Sequence, residues 1–322
     1  MKNKAHSLFW VLALTLAPLF SSSAQEQKVF IAYTSRSYTA LPAYIAVVKG
    51  FFREEGLDSV MVQMRAQAAI PALTNGNIDY TLGFAYSLSA IIQGAPFKIT
   101  AFMAEKPLHY VVSRPEIKTI FDLRGKRLLV SRYLGLDHLA AEAVLKARGV
   151  DPKDVHFVVL GGDEPVRVEV LKKRLADAIS VSPPGSVYLQ KEGYQILGGP
   201  GDLKLGMPTS SIATTERRLS EKPQEVKKAI RAIVRGLRYL QERREETIAV
   251  MMQWFGQSRE VATASYDMIR PSFSRDGIVT DPALQFAIEV TKKALGSSKP
   301  IHISQVRDFT ILREVQNELG MR

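Results

Sequence analysis

Residues 28–56 read KVFIAYTSRSYTALPAYIAVVKGFFREEG, and they set the plan of the whole chain. Val29 to Tyr33 is a short apolar run of β-prone residues, the pattern of a buried strand. A polar loop follows from Thr34 to Thr39, dense in hydroxyls and carrying one guanidinium, Arg36. An apolar helix is then expected from about Ala40 to Val48, with Pro42 tolerated in its first turn and Gly50 just past its end. In open α/β sheets, ligands settle beyond the carboxyl ends of strands, where helix N-terminal amides point outward. Ser35, Arg36, Ser37 and Tyr38 are therefore candidate ligand contacts. An ordinary strand-loop-helix with a solvated loop has the same pattern, so function needs the rest of the chain.

The same grammar recurs downstream. Val60 to Met64 reads as a second strand, and a helix around Ala68 to Thr74 stops at Asn75-Gly76. Asn77 to Gly83 gives another strand, and Phe84-Ala85-Tyr86-Ser87 leads into a helix ending near Gln93, with Ser87 the expected N-cap. Lys98 to Met103 and His109 to Ser113 are further strands. A second pass starts near Thr119. Its strands are Leu128 to Ser131, His156 to Leu160 and Ala176 to Ser180, and its helices open after Asp137, after Asp163 and at Ser182 to Gly185. Strands alternating with helices of this length argue for βαβ units and largely parallel sheets. The loops place Tyr86, Ser87, Tyr133, Asp137, Gly162 and Pro183 beside the first four candidates.

From Ser220 onward the pattern is helical. Val226, Ile230, Ile233, Val234, Leu237 and Leu240 recur at helical spacing and read as a core stripe. Asp281-Pro282 starts another helix, and Ser304 is the expected start of the last.

The first 24 residues carry a basic tip, an apolar run from Leu8 to Phe20, and small residues up to Ala24. That succession is a secretory signal peptide with cleavage expected after Ala24, too short and too proline-interrupted for a membrane span. The chain has 322 residues, 46% hydrophobic, enough for a sizeable core and two lobes. It has no cysteine, which excludes disulfides, thiolate catalysis, cysteine-ligated zinc and iron–sulfur clusters. The formal charge of +11 falls to +9 without Lys2 and Lys4 of the leader. That excess is scattered, with no nucleic-acid motif, and belongs to solvated faces.

Several segments together resemble the periplasmic substrate-binding proteins of ABC importers, specifically the sulfonate/nitrate/taurine and thiamine-pyrimidine-precursor group. They are Pro42 to Leu57 with its G-F-F segment, Ala72 to Asp79, Gly94 to Lys98, Asp122 to Lys126, and Leu175 to Ala178 before Ser182-Pro183-Pro184. The resemblance implies an α/β, two-lobed type II periplasmic binding protein fold with a ligand cleft between lobes. Residues 25–112 and 208–322 would form lobe I, with its helical C-terminal segment, and 113–207 lobe II, with Met207 to Thr209 as hinge. It further implies a monomeric, periplasmic or secreted component that hands a small organic solute to a membrane permease and ATPase. No cofactor, metal or catalytic residue is expected.

The solute is expected to be anionic, because Ser- and Thr-bearing loops recur at helix starts, where backbone N–H groups favour negative charge. Arg36 is the first candidate counter-charge, with Arg132 and Arg167 as alternatives. An acid facing the cleft, Asp137 or Asp163, would instead favour an amino group, and His138 is a candidate contact or pH sensor. The same fold also resembles pyrimidine-synthase-like and chorismate-dehydratase-like enzymes, and a sensor that binds without transport is a third possibility. The missing cysteines argue against the first enzyme and the leader against the second. No H-E-x-x-H, G-x-S-x-G or phosphate-loop motif is present.

Overall fold

The structure, a computed structural model, describes residues 27–321. The expected leader and its cleavage after Ala24 lie outside these residues. Ten strands form two five-stranded sheets. In chain order they are β1 (Gln27–Tyr33), β2 (Leu57–Gln63), β3 (Tyr80–Gly83), β4 (Phe97–Ala104), β5 (Tyr110–Ser113), β6 (Arg127–Val130), β7 (His156–Val159), β8 (Ala178–Val181), β9 (Gln195–Gly198) and β10 (Ser210–Thr215).

The first sheet runs β2-β1-β3-β10-β4 and the second β7-β6-β8-β5-β9. The two orders are equivalent. In each sheet the strand in second place pairs in parallel with the strands in first and third place, and the fourth place holds an antiparallel strand. That antiparallel strand belongs to a segment adjoining the crossing between sheets: β10 on the return, β5 on the way out. The repeat extends to side chains. Asp79 accepts the Phe30 amide of β1 at 2.7 Å, and Asp177 accepts the Arg127 amide of β6 at 2.9 Å. The repetition seen in the sequence as grammar is thus a repetition of topology.

The sequence boundary at 112/113 falls inside β5, which pairs with β8 and β9 of the second sheet. The outgoing crossing is therefore 105–109. On the return, Leu203 and Met207 still pack in the second lobe's core, and β10 begins at Ser210. The two crossings touch: Lys106 Nζ donates to the Leu203 carbonyl at 3.2 Å and Thr209 Oγ1 to the Lys106 carbonyl at 3.3 Å.

The helices from Glu216 onward cover the first sheet. All six residues of the 226–240 stripe are buried, and a fully buried Leu or Ile side chain stabilises by roughly 1.5–3 kcal/mol. The helix Pro223–Glu242 lies against Leu41–Val48, and Gly236 permits the approach: a Cβ there would stand 2.2 Å from the Pro42 carbonyl. Two helix starts differ from expectation. The helix with Ser87 begins at Phe84, behind Gly83, leaving Ser87 inside its first turn with no capping role. After a short helix Ile303–Val306, the final helix is Thr310–Glu318. Among the described residues, no helix is long and apolar enough to cross a membrane.

Candidate functional site

A cavity of about 310 Å³ lies between the lobes, near the lower end of the roughly 300–1,000 Å³ usual for ligand pockets. The first lobe contributes Arg36, Ser37, Tyr38 and Thr39 from the loop after β1, and Phe255 from the end of the helix Arg244–Phe255. The second lobe contributes Leu136, Glu164, Ser182, Pro183 and Pro184, and the outgoing crossing supplies Leu108 and His109. Leu136, Glu164 and the 182–184 loop follow β6, β7 and β8 respectively. The cavity therefore sits where parallel strands of both sheets end, as open α/β folds place their ligands.

Four of the ten sequence candidates line it: Arg36, Ser37, Tyr38 and Pro183. Ser35 is exposed next to Arg36 and outside the lining. The Tyr86 phenol is bonded to Thr81 Oγ1 in the first lobe. Ser87 is fully buried, its Oγ without a protein partner. Tyr133 is exposed, with its ring edge-on to His138 at 4.8 Å. Asp137 is buried, and its carboxylate accepts from Ser131 Oγ at 2.9 Å and the His138 amide at 3.0 Å, so it ties its own loop. Gly162 is exposed, and its carbonyl accepts from Arg167 Nη1 at 2.6 Å. That bond fixes the buried Arg167 to backbone, and Arg132 is exposed outside the lining. His138 is sandwiched between Tyr133 and Phe157 away from the cavity, and burial lowers its pKa.

Sequence reading missed Thr39, Leu108, His109, Leu136, Glu164, Ser182, Pro184 and Phe255. Ser182 and Pro184 flank Pro183 and were within reach of the same rule. Phe255 was not, because it arrives from a helix over 200 residues away in sequence. Its ring meets Tyr38 edge-on at 4.6 Å, and the Tyr38 phenol is bonded to Gln257. Burial raises the Tyr38 pKa, so the phenol stays neutral and can donate a hydrogen bond.

The electrostatics are divided between the lobes. Arg36 brings an exposed cation from the first lobe. Glu164 brings a carboxyl from the second, its pKa raised by burial against the hydrogen bonds of Ser182. His109 is pushed down to about 4 by burial, with Asp137 opposing and Arg167 reinforcing the shift. The imidazole is therefore neutral near pH 7, and its Nδ1 has no protein partner. The remaining walls are aromatic, leucine and proline, with the hydroxyl residues Ser37, Thr39 and Ser182 between them. Such a cavity can hold a small organic body by apolar contact and orient it with a few polar groups. A second cavity of about 520 Å³, lined by Arg238, Gln241, Arg270, Arg275 and Asp276 among others, takes no residue from the second lobe.

A model described as NMT1/THI5 like matches residues 38–247. The chain is 25% identical over 252 residues to the riboflavin-binding protein RibY of Chloroflexus aurantiacus, covering 76% of this chain and 70% of that one. In fold it is similar to the periplasmic aliphatic sulphonate binding protein SsuA from Escherichia coli, with TM-score 0.70 and 17% identity. That likeness covers 87% of this chain and 96% of the other. The desulfurization enzyme DSZB shares the fold as well, at TM-score 0.66 and 13% identity over 91% of this chain and 99% of DSZB.

Proposed function

The chain belongs to the NMT1/THI5-like family, and from that membership we propose that it is the extracytoplasmic solute-binding component of an ABC importer. One observation carries the reading: a cavity is lined by loops of both lobes and by a crossing segment between them. A solute touching both lobes gains contacts only when they are together, so it shifts the population toward the closed arrangement. The crossings 105–109 and 203–209, hydrogen-bonded side by side, are the hinge in this reading. The permease would then read the closed form.

The solute is a small organic molecule with an apolar body and an anionic group. Tyr38, Phe255, Leu108, Leu136 and the two prolines suit the body, and Arg36 suits the anion. Guanidinium–carboxylate or guanidinium–sulfonate pairing is charge-assisted and directional. Thiolate-dependent catalysis is excluded because the chain has no cysteine, and the likeness to the riboflavin-binding protein favours binding without turnover. The test is a thermal-shift screen of the purified protein against a library of organic acids, amines, amino acids and heterocycles. A binder of the folded state raises the melting temperature. Mass spectrometry of the mixture should then recover the solute unchanged, whereas conversion would favour an enzyme.

A further inference from the structure

We propose that the solute held between the lobes presents a nitrogen-bound hydrogen, an N–H or ammonium group, to the carboxylate of Glu164. The inference rests on the solute-binding reading above and names the class of solute that this site takes. Glu164 lines the second lobe's side of the cavity at the start of the helix Glu164–Lys172. Its Oε2 accepts from the Ser182 amide at 3.2 Å and from Ser182 Oγ at 3.1 Å. Oε1 has only that same hydroxyl, at 3.4 Å. An ionised carboxylate offers about four lone-pair sites, so Oε1 keeps unused acceptor capacity. Oε1 also lies close to Gly185, where a Cβ would stand 3.0 Å from it, so no side chain at that position crowds the oxygen.

Among the described residues no cation forms an ion pair with Glu164. Arg167, on the same helix, gives its Nη1 to the Gly162 carbonyl instead. A partly buried carboxylate with incomplete hydrogen bonding carries a cost, and a solute N–H completes the set. A bare anion at the same place would meet like charge. Arg36 on the opposite lobe stays available to an anionic group of the same molecule. The favoured class is therefore an organic acid that also carries an N–H, not a simple sulfonate or carboxylate.

The pH dependence has a definite sign. The donor is bound by the ionised form of Glu164, whose pKa burial raises. Affinity should thus fall as pH drops through that raised value. The neighbouring charged groups do not mimic this. Arg36 stands on the opposite lobe, Arg167 gives its Nη1 to the Gly162 carbonyl, His109 titrates only near 4, and Asp137 is engaged by Ser131 and the His138 amide. Tyr38 ionises far above the range.

The experiment is a thermal-shift and calorimetric comparison of skeleton-matched pairs added to the library: taurine with ethanesulfonate, β-alanine with propionate, and 4-aminobenzoate with benzoate. The stabilising compounds should all carry an N–H. The best of them should bind Glu164→Gln about ten- to a hundredfold more weakly, the worth of a hydrogen bond to a charged group. Wild-type affinity should weaken from pH 7 to pH 4.5. That arm stands even if the variant folds poorly. Stabilisation by acids lacking N–H as strong as by their amino partners, or affinity that is flat or rises with acid, would overturn the proposal while leaving solute binding intact. A complete absence of stabilising compounds would contradict the solute-binding reading and this inference with it.

Discussion

The phenol oxygen of Tyr38 lies 2.9 Å from Gln257 Oε1 and 2.7 Å from its Nε2, joining the loop after β1 to a residue 219 positions later. Phe255 packs edge-on to the same ring, and Tyr44 stacks flat on Trp254 at 4.1 Å with 5° between planes. The loop after β1 is therefore braced by the helical C-terminal segment. Gln257→Leu should leave the fold intact while releasing the Tyr38 ring. Each of Gln257→Leu and Tyr38→Phe is expected to cost about 1 kcal/mol of binding, the net value of one hydrogen bond. The double variant should cost less than the sum, because both remove the same bond. Calorimetry on the identified solute measures this, and full additivity would rule out the bracing role.

Arg36 is exposed and lines the cavity. Arg36→Gln should weaken binding of an anionic solute roughly tenfold, with little change in melting temperature. The wild-type affinity should also fall with added salt, and the variant's should fall less. Equal affinity of variant and wild type would remove Arg36 from the site.

A buried charge cluster supports the first sheet. Arg218 pairs with Asp79 at 2.5 Å and with Glu225 at 2.7 Å, while the Tyr80 phenol donates to Glu225 at 2.9 Å. Arg218→Met strands two carboxylates in a low-dielectric region. A loss of about 3–5 kcal/mol is expected for breaking such a cluster on one side. Urea denaturation followed by circular dichroism reads it, and a loss below about 1 kcal/mol would mean that water reaches the cluster.

His109 lies in the outgoing crossing, its pKa depressed to about 4 by burial. The unfolded chain takes up a proton near 6.5, where the folded protein does not. Its contribution is thus complete above about pH 6.5 and is lost as pH falls from there toward 4. Burial lowers the His138 pKa as well, with the same sign. His109→Asn should flatten the stability curve across that window, by thermal denaturation at stepped pH. An unchanged slope would show that His109 is solvated.

The fold was legible because period and punctuation agree from segment to segment: the β1 loop and helix, the Asn75-Gly76 stop and the 226–240 stripe all stand where the pattern put them. The cavity lining was legible only where it directly follows a strand, as with Arg36 to Tyr38 and Pro183. Asp137 shows why the rule fails elsewhere. It also follows a strand, but its carboxylate is used by Ser131, and no local pattern tells capping from contact. Glu164 stands beside Asp163, after which the helix is expected to open and which is one of the two acids named for the cleft. Asp163 makes no capping bond, while Glu164 faces the cavity. Phe255 depends on how distant helices pack, which one-dimensional periodicity does not encode.

The most direct test is a crystal structure of the protein with the solute that stabilises it most. The solute should lie between the loop 36–39 of the first lobe and the loop 182–184 of the second, in contact with Tyr38 and Glu164. A solute bound in the arginine-lined cavity around Arg238 and Arg275, or touching one lobe alone, would contradict capture by closure of the two lobes.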